Sequence, residues 1–226
     1  MLKISTHQLI MTKIVKEIYS DITIGPALGF KGGTALKFFY DLPRFSVDLD
    51  FDLLDESKKD LVFKKITKIV NKYGVLKEGR EKYFTLFWLL SYQKGLNHLK
   101  IEISKRSAGN QYEMKNYLGQ PALVMKPEDM FANKLTALLD RKRLAHRDIF
   151  DIWFMLNNHW DLNEALLKLR TKTEPKKYLQ RCLNLLEKKP PTNILDGMGE
   201  LLDNKMKAWV KTKLIQETIF LLKLKL

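Results

Sequence analysis

Residues 31–53 read KGGTALKFFYDLPRFSVDLDFDL. A glycine pair, Gly32 and Gly33, opens the stretch. Thr34 to Tyr40 then has a helix-forming composition, with Ala35, Leu36, Phe38 and Phe39 supplying apolar contacts. Asp41 to Arg44, around Pro43, reads as a turn. From Phe45 to Leu53 apolar and polar residues alternate strictly, which predicts a strand. Phe45, Val47, Leu49, Phe51 and Leu53 share one face, and Ser46, Asp48, Asp50 and Asp52 share the other.

Asp48 and Asp50 therefore project side by side, and two adjacent like charges are costly unless a cation lies between them. Hard divalent ions prefer carboxylate oxygens; Mg²⁺ commonly takes one or two carboxylates together with substrate phosphates. Gly32 and Gly33 permit close approach of the backbone to a phosphate, and the following helix start offers free N–H groups. Thr34 adds a hydroxyl. A phosphate cradle beside a carboxylate pair is the equipment of phosphoryl or nucleotidyl transfer. Two plainer readings stand beside this one. A glycine pair often marks only a turn, and an acidic strand face can be a solvated edge that blocks aggregation. Asp52, farther along the strand, suits the second. The whole combination, with Arg44 and Ser46 ahead of Asp-x-Asp, is hard to obtain from surface chemistry alone.

Outward from this stretch, Thr6 to Tyr19 predicts an amphipathic helix and Ile22 to Gly29 a short apolar segment leading into Phe30. Asp55 to Tyr73 predicts a basic amphipathic helix ended by Gly74. Strands are expected over Val75 to Gly79, Tyr83 to Tyr92 and Leu99 to Ser104, with Gly95 and Asn97 turning between the last two. Lys105 to Asn110 reads as loop and Leu118 to Met125 as a further extended piece. From Pro127 the chain reads as all-helical. Pro127, Glu128 and Asp129 make a helix start, and a basic cluster runs from Arg141 to Arg143. Helices follow over Arg147 to Asn157, Asn163 to Lys172 and Glu174 to Glu187, with a long last helix from Asn193 interrupted near Gly197 to Gly199. The expected organisation is an α/β core over residues 1–125 and a helical region over 126–226.

The chain has 226 residues, 45% of them hydrophobic, and a formal charge of +14. That is enough for a sizeable core. The charge favours a polyanionic partner such as nucleic acid, or serves solubility alone. A single cysteine, Cys182, excludes an internal disulfide framework and a cysteine-built zinc site, and suits a reducing cytoplasm. No signal peptide and no apolar run long enough to span a bilayer are read. No His/Cys metal set and no Ser-His-Asp arrangement is supported by spacing. Trp88, Trp153, Trp160 and Trp209 read as core or interface anchors.

The pattern G-G-T-A-L … R-x-S-x-D-L-D-F resembles the AbiEii-type nucleotidyltransferase toxins of the DNA polymerase β-like superfamily. The resemblance spans roughly Phe30 to Phe154. It implies an α+β polymerase β-like core, with a small mixed sheet and flanking helices, followed by a helical C-terminal region. It implies Asp48 and Asp50 as holders of Mg²⁺ or Mn²⁺, and Gly32, Gly33, Thr34, Arg44 and Ser46 as nucleotide-binding. Glu102, in LKIEIS, matches the position of a third carboxylate that is usually Asp in the toxins; it reads equally as a half-exposed strand acid. The helical motif PEDMFANKLTAL supplies Lys134, which reads as a triphosphate-directed charge or as a solvated lysine at the core edge. The following R-D-x-x-D supplies Arg147, Asp148 and Asp151, with Asp148 as the functional acid and Asp151 as structural; helix capping accounts for both as well. The implied activity is transfer of NMP from NTP to an RNA hydroxyl, the tRNA 3′ end being the family's example, in a toxin–antitoxin or phage-defence setting with a cognate antitoxin. Transfer to a protein hydroxyl, such as Ser46, and a non-catalytic RNA- or antitoxin-binding module are the alternatives.

Overall fold

The computed structural model describes residues 4–95, 98–106, 109–141 and 143–226. Asn97 of the expected turn, residues 107 and 108 of the expected loop, and Lys142 of the basic cluster lie outside them. The chain divides into two compact units: Met1–Asp41 with Phe45–Met125, and Leu42–Arg44 with Lys126–Leu226. The short segment 42–44, inside the core expected over residues 1–125, belongs to the second unit.

The first unit is built on one seven-stranded mixed sheet. Its elements are α1 (Ile4–Ser20), β1 (Leu28–Lys31), α2 (Gly32–Tyr40), β2 (Asp48–Leu53), α3 (Lys59–Asn71), β3 (Val75–Glu81), β4 (Thr85–Ser91), β5 (Leu99–Ser104), β6 (Tyr112–Tyr117) and β7 (Gln120–Met125). The strands lie in the order β3-β4-β5-β2-β1-β7-β6. β2 is central, antiparallel to β1 and parallel to β5. Its apolar positions Leu49, Phe51 and Leu53 are buried, as alternation requires. Phe51 stacks on Phe30 with ring centres 4.8 Å apart. From α1, Ile14, Val15 and Ile18 are buried, and from α3, Val62, Ile66 and Val70. Trp88 is wholly buried, stacked on Phe63, and its indole N–H donates to the Thr67 hydroxyl at 2.9 Å. It is a core anchor.

Three differences from the sequence reading have physical causes. β2 begins at Asp48 rather than Phe45, so the polar pair Asp48 and Asp50 lies at the start of regular pairing. The segment before β1 is a 3₁₀ turn, Gly25–Ala27, with Pro26 at its start. β6 was not anticipated, because YEMKNY has too little alternation and it is an edge strand with exposed side chains. It joins β7 through Leu118 and Gly119, both with positive φ (50° and 83°), the geometry of a two-residue hairpin turn.

The second unit contains α4 (Pro127–Asp140), α5 (His146–Asn157), α6 (Glu164–Thr171), α7 (Pro175–Lys188), α8 (Asn204–Thr212) and α9 (Leu214–Lys225). Asn163 caps α6, its side chain accepting from the Leu166 N–H, while its amide donates to Asp129 at 2.6 Å. Met130, Phe131, Leu135 and Leu138 of α4 and Ile149, Phe150 and Ile152 of α5 are buried. Trp153 meets Trp209 with ring centres 4.3 Å apart. The expected last helix starts only at Asn204, where Asp203 is an N-cap to Met206, and is broken at Lys213 into α8 and α9. Cys182 is buried, which pushes its thiol up to about 12 and leaves it inert. No helix among the described residues is long and apolar enough to cross a membrane.

Candidate active site

The first unit gathers its acids through strand register. Asp48 pairs with Lys100, Asp50 with Glu102 and Asp52 with Ser104 across β2 and β5, so these six residues share one face. On the other side of β2, Lys31 pairs with Asp50. The Glu102 position expected from the sequence is therefore directly beside Asp50.

The glycine pair is shaped by this face. Gly32 has φ of 79°, a conformation that favours glycine, and a Cβ there would lie 2.6 Å from the Asp50 Oδ2. Gly33 is buried in the first turn of α2. That helix start follows β1 with no side-chain cap, which leaves its amides to other acceptors. Thr34 is buried, and its hydroxyl donates to the Asp48 backbone carbonyl. The sequence reading aimed this hydroxyl at a phosphate; the structure commits its proton to β2.

Electrostatics around the pair are tense. Burial, and then the Asp48 charge, raise Asp50 above the ordinary carboxylate value, against the pull of Lys100 and Lys31. Lys100 Nζ lies 3.5 Å from Asp48 and 3.2 Å from Glu102. Burial acts to lower the Lys100 ammonium, and the charges of Asp48, Glu102 and Asp50 outweigh it and raise it. Among the described residues no group of three or more His, Cys, Asp or Glu is close enough to hold a metal ion alone. Two carboxylates do fit a hard divalent cation that completes its shell with phosphate oxygens and water. The raised Asp50 is the observation in favour: an added positive charge there relieves both burial and repulsion.

Asp52, set aside in the sequence reading, is a structural hub. It is buried and accepts from Lys31 Nζ at 2.5 Å, from Asn110 Nδ2 at 2.9 Å and from the Tyr112 hydroxyl. The Tyr112 ring lies over Gly29, where a Cβ would meet it at 2.1 Å. Tyr112 and Asn110 come from 60 and 58 residues away, and no local signal marked them.

Ser46 borders a small pocket with Phe45, Val47 and the α1 residues Ile4, His7, Gln8 and Met11. His7 was not singled out by the sequence. Its Nε2 donates to the Val47 carbonyl at 2.9 Å, and its Nδ1 accepts from the Tyr92 hydroxyl at 2.6 Å. Burial lowers its pKa, opposed by the Val47 carbonyl and Asp48, so the ring is neutral and fixes the residue before Asp48.

The second unit has a separate ionic cluster. Arg44 is buried and grips Asp151 with Nε and one terminal nitrogen, both at 2.7 Å. Lys134 Nζ lies 2.7 Å from Asp151 and 2.9 Å from Asp148. Arg141 Nε lies 2.8 Å from the other oxygen of Asp148. The sequence reading gave Arg44 to the nucleotide; the structure gives its guanidinium a buried carboxylate. Burial acts to raise Asp151, and Arg44 with Lys134 outweighs it and holds the carboxyl below its usual range. For Lys134, burial lowers and the two aspartates raise, with a net rise that keeps it charged.

The comparisons with known proteins accord with this fold. The chain is similar in structure to a candidate nucleotidyltransferase from H. pylori, with a TM-score of 0.59 and 21% identity, covering 99% of this chain and 98% of that one. It is similar also to JHP933 from Helicobacter pylori, with a TM-score of 0.56 and 20% identity, covering 100% and 96%. Comparison with curated proteins gives no match. The model of the family described as nucleotidyl transferase AbiEii toxin, type IV toxin–antitoxin system, matches residues 13–214. The chain is a nucleotidyltransferase and belongs to the AbiEii toxin family.

Proposed function

We propose that the protein transfers NMP from an NTP to an RNA hydroxyl, with the tRNA 3′ end as the first acceptor to test. The acceptor oxygen attacks the α-phosphorus; the bond from that phosphorus to the bridging oxygen breaks and pyrophosphate leaves. The observation that carries the reading is the register that sets Glu102 beside Asp50, with Gly32 closed against the same carboxylate.

Asp48 and Asp50 would hold Mg²⁺ or Mn²⁺, which when bound neutralises phosphate charge. Glu102 would accept the proton of the attacking hydroxyl. The amides at the start of α2, at Gly32 and Gly33, which have no side-chain cap, would take phosphate oxygens. Thr34 and His7 act by holding β2 in place. Ser46, half-buried beside the small pocket, would contact the nucleotide. The family resemblance also gives Lys134 of the second unit to the triphosphate; within that unit Asp148 and Asp151 fix its ammonium, and Arg44 serves the same cluster. A neutralising antitoxin is the partner that the family implies.

The test is incubation with each α-labelled NTP, Mg²⁺ and total tRNA, for the wild type and Asp48→Ala. Label on RNA that disappears in the variant supports the reading. Label on protein transfers the reaction to a protein hydroxyl. No label on any acceptor, with salt-sensitive RNA binding intact in both proteins, leaves a binding module and sinks the proposal.

A further inference from the structure

The tip of the β3–β4 hairpin is unlike the rest of the first unit. Lys82, Tyr83 and Phe84 connect the strands, closed by the Lys82 N–H donating to the Thr85 carbonyl at 2.7 Å. Tyr83 is 85% exposed and Phe84 50%, and their rings meet edge to face at 4.4 Å. A soluble fold gains nothing from presenting two adjacent aromatic rings to water. The tip is nonetheless held firmly. The Lys105 N–H donates to the Phe84 carbonyl at 2.8 Å, and Arg106 lies over the Phe84 ring, 5.0 Å from its centre. Lys82 Nζ sits 3.3 Å from the centre of the Phe87 ring.

Charge around the rings is cationic in net effect. Glu81, at the hairpin's end, is already paired with Lys59 and Lys105, at 3.1 and 2.5 Å. Lys82 and Arg106 then stand without an opposing acid within salt-bridge distance among the described residues. Exposed aromatic faces ringed by lysine and arginine are the equipment of single-stranded nucleic-acid recognition: rings stack on unpaired bases and cations take the phosphates. A lipid surface would ask for aliphatic residues beside the rings, and a basic protein partner would be repelled.

We propose that this tip is a stacking platform for unpaired nucleotides of RNA, with Tyr83 and Phe84 as the stacking faces and Lys82 and Arg106 as phosphate contacts. The proposal rests on the RNA-acceptor reading for its biological sense, and on the tip's own chemistry for its binding. It places a strand-holding surface outside the acid face of β2 and outside the basic helices read from the sequence.

The test measures binding of a fluorescein-labelled, unstructured twelve-nucleotide RNA by anisotropy across a salt series. Tyr83→Ala with Phe84→Ala is expected to weaken binding by about ten-fold or more, with an unchanged melting temperature because both rings are exposed. Lys82→Ala with Arg106→Ala is expected to reduce the salt slope by about one to two. A blunt RNA duplex of equal length, whose bases are already stacked, is expected to bind the wild type and the aromatic variant alike. Equal single-strand affinity in the aromatic variant and the wild type overturns the proposal, as does a duplex that weakens in parallel. Preference of the wild type for anionic vesicles, with no RNA binding, overturns it too. Asp48→Ala separates this from the reaction: it is expected to bind the RNA as the wild type does. Label transfer surviving in Asp48→Ala would remove the catalytic reading while leaving the tip's result intact.

Discussion

Gly32 closes directly on Asp50: any Cβ at residue 32 would stand 2.6 Å from the carboxylate Oδ2, in a backbone with φ of 79°. Two penalties coincide in Gly32→Ala. The left-handed conformation costs a non-glycine residue about 1–2 kcal/mol, and the methyl must displace the carboxylate. The expected outcome is a melting temperature lower by roughly 2–8 °C and nucleotidyl transfer reduced by more than about ten-fold, because Asp50 moves. Gly33→Ala separates the two effects, since Gly33 has no positive φ and is expected to cost less in both readouts. Equal activity in Gly32→Ala and the wild type would remove the glycine turn from the site.

Asp50 gives a pH prediction whose sign follows from its raised pKa. The folded chain binds that proton more tightly than the unfolded chain does, so the carboxyl favours folding below its ordinary value of 3.8 and opposes it as pH rises through the folded value. At neutral pH, without added metal, Asp50→Asn is therefore expected to be more stable than the wild type, by about 2–4 °C for a change of ~1 kcal/mol in a chain this long. Mg²⁺ or Mn²⁺ should then raise the melting temperature of the wild type and leave Asp50→Asn unchanged. A metal-dependent rise of equal size in both proteins would place the cation elsewhere.

These two predictions draw on residues that were legible in the sequence because their signal is local. Asp48 and Asp50 on one strand face and Gly32 and Gly33 before a helix follow from period and composition, while Glu102 was singled out by the family resemblance. What local pattern cannot reveal is who answers a charge from far away. Asp52 looked like a solvated acid, and its partners Asn110 and Tyr112 come from beyond β5. Arg44 looked like a nucleotide ligand two residues before Ser46, and its carboxylate is 107 residues on. β6 escaped because an edge strand need not alternate.

The Arg44–Asp151 pair is buried at both ends, with side chains 2% and 0% exposed. Arg44→Met leaves Asp151 still paired with Lys134, and is expected to cost about 3–5 kcal/mol, the range for breaking a buried pair from one side. Arg44→Lys keeps the charge and loses the two-pronged grip, and is expected to cost less. The lowered Asp151 sets the sign at acid pH. Its contribution is present above 3.8 and is lost as pH falls through the depressed folded value. Asp151→Asn should accordingly flatten the loss of stability below about pH 4 in urea titrations. An acid limb unchanged by Asp151→Asn would assign acid unfolding to other carboxylates.

Lys134 has two acidic partners, so its structural and chemical roles can be told apart by a double substitution. Lys134→Met leaves Asp148 with Arg141 and Asp151 with Arg44. Stability is expected to fall, and transfer to fall by about a hundred-fold, the scale of losing a preorganised charge at a phosphoryl-transfer centre. Lys134→Met with Asp148→Asn removes one positive and one negative charge together. If the ammonium only balances the aspartates, the pair of changes restores melting temperature and activity alike, as coupled sites do. If it acts on the triphosphate, stability recovers while kcat/KM for the NTP stays low. The second result is the one expected, and recovery of both would return Lys134 to the interior of the helical unit as a structural cation.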